Sequence, residues 1–332
     1  MTRRTALLLF ILAIMGAGWG MTQPLSKIAV SGGYRHFGLV FWQLAIGAVV
    51  LAVVRSIHFE RSPATSEQLR GGRLTVRFGW PKLRFDAAAL RIYLIIALIG
   101  TVLPNSASYE AIRHLPSGLV SILLSLVPMF AFPIALAFGN ERFEVVRFGG
   151  LALGLGGVLL IVAPEASLPE GAIIAFIPLA LIAPFFYGLE GNVVAKWGTN
   201  GLSAIDVLFG ASALGAVITL PLALTTGHFI DLRPPWGLPD VAILCAALIH
   251  VVVYTTYVWM VGAAGAVFAV QVSYLVTGFG VLWAMLILGE NYSGWIWSAM
   301  AMILAGVFLV QPRPSEVLAD AQTPTTIGPG TR

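Results

Sequence analysis

The chain has 332 residues, of which 58% are hydrophobic and 10% are charged, and its formal net charge is +4. Soluble domains carry about 25% charged residues, so this composition excludes them and indicates a protein that crosses a membrane many times. One span needs about 20 apolar residues, which leaves room for roughly ten. The positive charge is assigned to loops rather than to nucleic-acid binding, and the single cysteine, Cys245, excludes an intramolecular disulfide.

Ten apolar runs follow one another along the chain. Each is predicted to be a helix, because lipid offers no partners for free backbone groups. They cover about residues 6–29, 37–54, 88–110, 115–138, 146–163, 171–195, 204–226, 239–261, 265–288 and 293–311. The first follows two arginines, as in a signal peptide, but it is too long and lacks a small-residue cleavage site. It is therefore predicted to be an uncleaved first span.

The basic residues predict the orientation of these spans. With the N-terminus inside, 15 of the 19 lysines and arginines lie on the inner side, so both termini are predicted to be cytoplasmic. The mixed basic and apolar stretch from Leu74 to Phe85 is expected to contact lipid headgroups of the inner leaflet. Residues 312–332 are rich in Pro, Thr, Gly and Ala, and are predicted to be a disordered cytoplasmic tail.

One long apolar stretch occurs twice. The first copy, Ala111–Phe143, carries three serines and a proline at its middle (Ser117, Ser121, Ser125 and Pro128). The second, Gly265–Tyr292, has an apolar run of the same length, 265–288 against 115–138, and a Gly289-Glu290 stop. The repetition predicts two halves, residues 1–165 and 166–311, with five spans each. Because five is odd, the second half is inverted relative to the first, and a binding site is expected between them at mid-membrane.

These motifs resemble those of a known family. Trp19-Gly20 is followed by a lysine eight residues after the tryptophan, and the run from Leu119 to Arg142 is similar to a run typical of EamA-like transporters. These belong to the drug/metabolite transporter superfamily. The resemblance extends over about residues 6–311. It implies an all-α membrane protein of ten helices in two inverted five-helix repeats, alternating access, and transport of small metabolites, often amino-acid export. It implies no catalytic residue.

A central cavity is predicted, lined by spans 1, 3, 4, 6, 8 and 9. On span 8, His250, Tyr254 and Tyr257 share one face, and an ionisable group at that depth suggests function. The alternative is that His250 is neutral and hydrogen-bonded to a neighbouring helix, with the tyrosines packed beside it. For the serines of span 4, the favoured role is close packing of helices. The candidate substrate-binding residues are Trp19, Asn105, Tyr187, His250, Tyr254, Tyr257, Gln271 and Tyr274.

Three charged residues are candidates for gating or proton coupling. Glu190 lies inside span 6, where it could carry a proton or could pair with Lys196. Lys27 and Lys196 end related helices on opposite faces of the membrane. They could reach the headgroups, or each could close a gate by pairing with a carboxylate. Glu110 and Arg113, three residues apart, predict a local ion pair.

The sequence therefore predicts a secondary transporter in the inner (plasma) membrane. Its partners would be membrane lipids and a small amphipathic or zwitterionic solute, with amino-acid export preferred. Uptake or facilitated diffusion of another metabolite or drug-like compound is the alternative. An intramembrane hydrolase using Ser212 and His250, or a scaffold that transports nothing, is a remote one. No cofactor, metal, ATP or nucleic acid is expected. For the oligomeric state, the sequence is compatible with a monomer and with a homodimer.

Overall fold

The apolar runs form a bundle of helices. The structure is a computed structural model that describes residues 3–61, 74–79, 83–162, 173–264, 268 and 271–310. Eight of its helical segments are long and apolar enough to cross a membrane. Two further apolar helices, Val272–Leu288 and Gly294–Val310, have 17 residues each. The chain is thus a helical, multi-pass membrane protein. The predicted tail, residues 312–332, lies outside the described residues.

The α-helices of the described residues are numbered in chain order. They are α1 (Arg3–Ser31), α2 (His36–Ser56), α3 (Ala87–Ala97), α4 (Leu103–His114), α5 (Ser117–Leu124), α6 (Val127–Phe138), α7 (Val145–Val162), α8 (Ile177–Trp197), α9 (Ala204–Thr225), α10 (Leu238–Ala264), α11 (Val272–Leu288) and α12 (Gly294–Val310). A 3₁₀ turn, Ile174–Phe176, leads into α8.

Two short strands lie between helices of the otherwise helical fold. Between α2 and α3, β1 (Ile57–Arg61) pairs antiparallel with β2 (Leu74–Phe78). In the register of this pair, Ile57 is opposite Phe78 and Arg61 is opposite Leu74. Apolar and polar residues alternate over all five positions of β2 and over the first four of β1. This strand pattern is too short to compete with the long apolar runs in a span-based prediction.

Prolines interrupt two of the spans. Pro128 lies in the first turn of α6, and the chain breaks from α5 to α6 at Ser125 and Leu126. A proline ring clashes with the carbonyl four residues earlier, so one continuous helix through this point is disfavoured. In the preceding span, a π-helical turn (Leu98–Val102) separates α3 from α4, just before Pro104. There the Leu103 amide donates to the carbonyl of Leu98, five residues back.

The core is centred on α5. Every residue from Ser117 to Leu123 is buried, and the largest apolar cluster runs through this helix into α6. In lipid, association of helices depends on close packing rather than on transfer out of water. The repeated stretch that identifies the family resemblance is therefore mainly the structural centre of the bundle.

Two glycines at related positions let helices cross closely. A Cβ atom on Gly20 of α1 would lie 2.7 Å from the backbone nitrogen of Gly280 in α11. A Cβ on Gly188 of α8 would lie 2.8 Å from the backbone nitrogen of Ala131 in α6. Both distances are shorter than real Cβ contacts, so these crossings require glycine. Each crossing joins a helix of one half to a helix of the other.

Candidate functional site

A cavity of about 370 Å³ lies among the helices. Residues of α1, the α3–α4 span, α5, α6, α8, α10 and α11 line it, as do residues of α2 and α9, which were not predicted to contribute. Six of the eight predicted substrate-binding residues are in its lining: Trp19, Asn105, Tyr187, His250, Tyr254 and Tyr257. Residues from both ends of the sequence thus meet in one polar and aromatic space.

Aromatic rings form one wall of this cavity. The indole of Trp19 contacts three rings of α10, with centroid distances of 6.3 Å to His250, 6.1 Å to Tyr254 and 5.7 Å to Tyr257. The three α10 residues lie on the same side of that helix, as their spacing predicts. Tilted and edge-on ring contacts at such distances are favourable, so the four rings stabilise one another in this wall.

A second group of lining residues forms a hydrogen-bond network. The Tyr187 hydroxyl donates to Oδ1 of Asn105 at 2.5 Å, and Nδ2 of Asn105 donates to Oε1 of Gln43 at 3.2 Å. Tyr109 donates to the same Gln43 oxygen. Sequence reasoning missed Gln43 and Tyr109. A lone amide inside the apolar run of span 2 was the available signal, because such groups find partners across helices.

Glu190 also lines the cavity, and it lies against the π-helical turn. A Cβ atom on Gly100 would be 2.5 Å from Oε1 of Glu190, so only glycine leaves room for this carboxylate. The structure does not pair Glu190 with Lys196, which was the alternative prediction. Nζ of Lys196 donates to the Phe138 carbonyl at 2.9 Å, and no ion pair joins Glu190 to Lys196 among the described residues.

Gln271 and Tyr274 do not belong to the cavity lining, which corrects their predicted place. Gln271 precedes α11, and Tyr274 packs against the main apolar core. The lining residues of this region are instead Val272, Ser273, Val276 and Thr277. Successive helical residues differ by about 100°, so the prediction chose a neighbouring face of the correct helix.

Ser212 and His250 both line the cavity, as an intramembrane hydrolase would require. Among the described hydrogen bonds, none joins the two side chains. A serine nucleophile needs a base within hydrogen-bond reach, so the geometry gives this reaction no support.

The end of the bundle that holds Lys27 and Glu290 is called the Lys27 end. Here Nζ of Lys27 donates to the carbonyls of Ile112 at 2.7 Å, Leu115 at 3.0 Å and Arg113 at 3.4 Å. The last carbonyls of a helix have no partner within it and attract positive charge. Lys27 of α1 therefore caps the C-terminus of α4.

A carboxylate caps the next helix at the same end. Glu290, just beyond α11, accepts from the Ser117 amide at 2.8 Å, the Ser117 hydroxyl at 2.9 Å and the Gly118 amide at 3.1 Å. Tyr292 donates to Glu290 as well. Burial and this hydrogen bond raise the pKa of the Tyr292 hydroxyl, so it stays a proton donor at physiological pH. Glu290 thus ties α11 to the N-terminus of α5.

The opposite end, which holds Lys196 and Asn140, is called the Lys196 end. Asn140 donates to the Asn192 carbonyl at 3.2 Å, and Nδ2 of Asn192 donates to the Ala131 carbonyl at 2.9 Å. These bonds and that of Lys196 to Phe138 join α8 to α6. The nearby carboxylate, Glu141, turns away from both and pairs with Arg147 of α7 at 2.9 Å.

A membrane-spanning bundle with a polar and aromatic cavity between its helices has the architecture of a membrane transporter. The EamA-like transporter family matches residues 4–163 and again residues 174–311. The chain belongs to this family, which is of the drug/metabolite transporter type, and the family resemblance of the sequence is confirmed.

Relatives of similar length are also named as transporters. The chain is 24% identical over 316 residues to the uncharacterized transporter YvbV of Bacillus subtilis (strain 168), covering 93% of this chain and 92% of that one. It is 24% identical to the uncharacterized inner membrane transporter YedA of Escherichia coli (strain K12), covering 73% and 74%. It is 21% identical to a probable terminal-alkyne amino-acid exporter of Streptantibioticus cattleyicolor, covering 92% and 94%.

A solved crystal structure has the same fold. It covers 95% of this chain and 98% of its own, with a TM-score of 0.55 and 16% sequence identity. At this identity the likeness extends to the fold alone.

Proposed function

We propose that this protein is a secondary transporter that exports amino acids or related small amphipathic solutes across the inner membrane by alternating access, without ATP. The cavity carries this proposal. A space of about 370 Å³ that combines an aromatic wall with hydrogen-bonding groups suits a solute with an apolar part and polar ends. Among the residues that the structure describes, the lining contains no lysine or arginine, which disfavours a strongly anionic substrate.

The proposed architecture has ten spans in two inverted repeats with both termini in the cytoplasm. Two observations support the repeats. The family matches the chain twice in succession, and Gly20 and Gly188, at related positions of the two halves, both form close crossings with the other half. The excess of lysine and arginine on one side supports the orientation. In this orientation the Lys27 end faces outward.

Alternating access requires one end of the cavity to be closed while the other is open. The contacts of Lys27, Glu290 and Gly280 join α1, α4, α5 and α11 at the Lys27 end. At the Lys196 end, the hydrogen bonds of Asn140, Asn192 and Lys196 join α8 to α6. These contacts support a state that is closed to the outside and accessible from the cytoplasm.

Two further observations favour export and an amino-acid substrate. A relative that is 21% identical over nearly its full length is named a probable amino-acid exporter. A cavity reached from the cytoplasm also has the arrangement that an exporter needs for loading.

A resistance screen followed by reconstitution tests the function. Cells that overproduce the protein are grown on toxic amino acids and analogues, and the compounds tolerated are then measured as fluxes in proteoliposomes. Resistance together with flux through the purified protein is expected for at least one amino acid or analogue. Absence of both across the panel would refute the export proposal. Reporter fusions at the loops test the orientation, with a cytoplasmic signal expected after α2 and an external one after α1.

A further inference from the structure

We propose that the cavity recognises the positively charged amino group of its substrate, and that Glu190, whose carboxylate lies against Gly100, is the recognition residue. The inference rests on the proposed transport function and names the chemical feature selected: an ammonium group next to an apolar part. A carboxylate on the substrate would not be required. Three observations on the cavity lead to this assignment.

The first observation is the charge of the lining. Within the described part of the chain, the lining residues include one carboxylate, that of Glu190, and neither lysine nor arginine. No ion pair neutralises Glu190 among the residues that the structure describes. A buried charge without a counter-ion is costly, and a bound cation removes that cost. The substrate is thus the available source of the compensating charge.

The second observation is the way in which the bundle makes room for this carboxylate. Pro104 has no amide hydrogen, so the carbonyl of Gly100 lacks the donor that a helix would supply four residues later. The backbone widens into the π-helical turn Leu98–Val102, and Glu190 lies directly against Gly100. Such turns are frequent at functional sites. The carboxylate that this turn accommodates is an acceptor in the cavity lining, which suits an ammonium group.

The third observation is the aromatic wall. Tyr187 and Tyr254 line the same cavity as Glu190, and Tyr254 belongs to the ring cluster around Trp19. Faces of tryptophan and tyrosine attract cations as well as apolar groups. An amine held by Glu190 therefore has its apolar part beside rings that also tolerate its charge.

The geometry offers a matched pair of glycines for the test. An alanine at Gly100 would place its Cβ 2.5 Å from the Glu190 carboxylate and displace it. An alanine at Gly191, the next residue after Glu190 in α8, has no atom within 4 Å of its Cβ. Both changes add one methyl group, but only the first moves the carboxylate.

The experiment measures flux of matched probes into proteoliposomes that contain the full chain, with protein-free liposomes as background. One set is phenylalanine, phenethylamine and 3-phenylpropionate, and another is leucine, isoamylamine and 4-methylpentanoate. We expect wild-type flux of the amino acids and amines but not of the acids. Glu190→Gln and Gly100→Ala should lower that flux about tenfold or more, as loss of a charged hydrogen bond predicts. Glu190→Asp should retain part of it, and Gly191→Ala should behave as wild type.

Each outcome is decisive. Amino-acid flux that Glu190→Gln leaves unchanged, or flux of the acids equal to that of the amines, would overturn the recognition of the amino group and leave the proposed transport function intact. Flux of no probe would overturn both. Thermal unfolding of each purified variant separates loss of recognition from loss of folding. If the Gly100→Ala protein unfolds as wild type yet transports poorly, the result supports the role of Gly100 in positioning the Glu190 carboxylate.

Discussion

The two ends of the bundle share one feature and differ in another. Both have a glycine crossing between the halves, Gly20 with Gly280 at the Lys27 end and Gly188 with Ala131 at the Lys196 end. Both also have a side chain that donates across this crossing. Trp283 of α11 donates to the Ala17 carbonyl of α1 at 3.0 Å, and Asn192 of α8 donates to that of Ala131 at 2.9 Å. Helices α1 and α11 thus form one pair, and α6 and α8 form the other.

The two ends differ in the contacts of their carboxylates, Glu290 at the Lys27 end and Glu141 at the Lys196 end. Each span ends in a left-handed glycine, Gly139 or Gly289, but the next residue is Asn140 in the first half and Glu290 in the second. Glu290 reaches α5, which is followed by α6 in the same span, and so joins the α1–α11 pair to the span of the α6–α8 pair. Glu141, one residue later in its turn, instead pairs with Arg147. One residue of offset thus separates a link between the pairs from a local ion pair.

The largest effect is expected for Glu290→Ala. It leaves the amides of Ser117 and Gly118 and the hydroxyl of Tyr292 without their acceptor. Loss of a charged helix cap should lower the free energy of unfolding by about 2–3 kcal/mol. Glu141→Ala, the matched change at the other end, should cost less, about 1–2 kcal/mol, because the buried Arg147 guanidinium keeps its hydrogen bond to the Val310 carbonyl and its contact with the Phe132 ring. Thermal unfolding in detergent measures both, and equal losses would contradict the comparison.

A smaller loss is expected for Gly280→Ala. The added Cβ would lie 2.4 Å from Oγ and 2.7 Å from Cβ of Ser121, so α11 and α5 must separate. Such overpacking costs about 1–3 kcal/mol. Gly278→Ala is the control in the same helix, since its Cβ meets nothing within 4 Å. If the two variants unfold at one temperature, α11 and α5 do not pack as closely as described.

Access to the cavity should shift when the link between the helix pairs is weakened. In a Cys245→Ala background, Thr101→Cys places one thiol in the cavity lining. A membrane-impermeant maleimide should label it mainly from the cytoplasmic side. Glu290→Gln should raise labelling from the outside about tenfold, which corresponds to a change of about 1.4 kcal/mol between states. If the Thr101→Cys protein that keeps Glu290 is labelled faster from the outside than from the cytoplasmic side, the proposal that the Lys27 end is closed is wrong.

The general architecture was accessible from the sequence because it depends on apolar length and local spacing. Composition and run length predicted a multi-pass helical protein, and the i, i+4, i+7 spacing on α10 predicted a shared face for His250, Tyr254 and Tyr257. The Glu110–Arg113 ion pair was also predicted and is present at 2.8 Å, because it is local.

Contacts that join distant segments were not accessible in the same way. The network through Gln43 depends on how α2 is rotated toward α4, which spacing within α2 does not determine. The cap on α5 comes from Glu290, 173 residues after Ser117, where the sequence offered only a charged stop at the end of a span. Gln271 and Tyr274 were assigned to the cavity from a polar pattern, although rotation of α11 presents Ser273 and Thr277 instead.

The smallest effect is expected at Lys196. Its side chain is exposed, donates to the one Phe138 carbonyl and lies 5.0 Å from that residue's ring centroid. Lys196→Met should therefore lower the free energy of unfolding by about 0.5 kcal/mol, as expected for exposed interactions of this kind. Lys27→Met removes the donor to three helix-end carbonyls, so the same thermal measurement should show a loss several times larger. Equal losses would mean that the two lysines only reach the membrane surface, and that the ends differ through Glu290 alone.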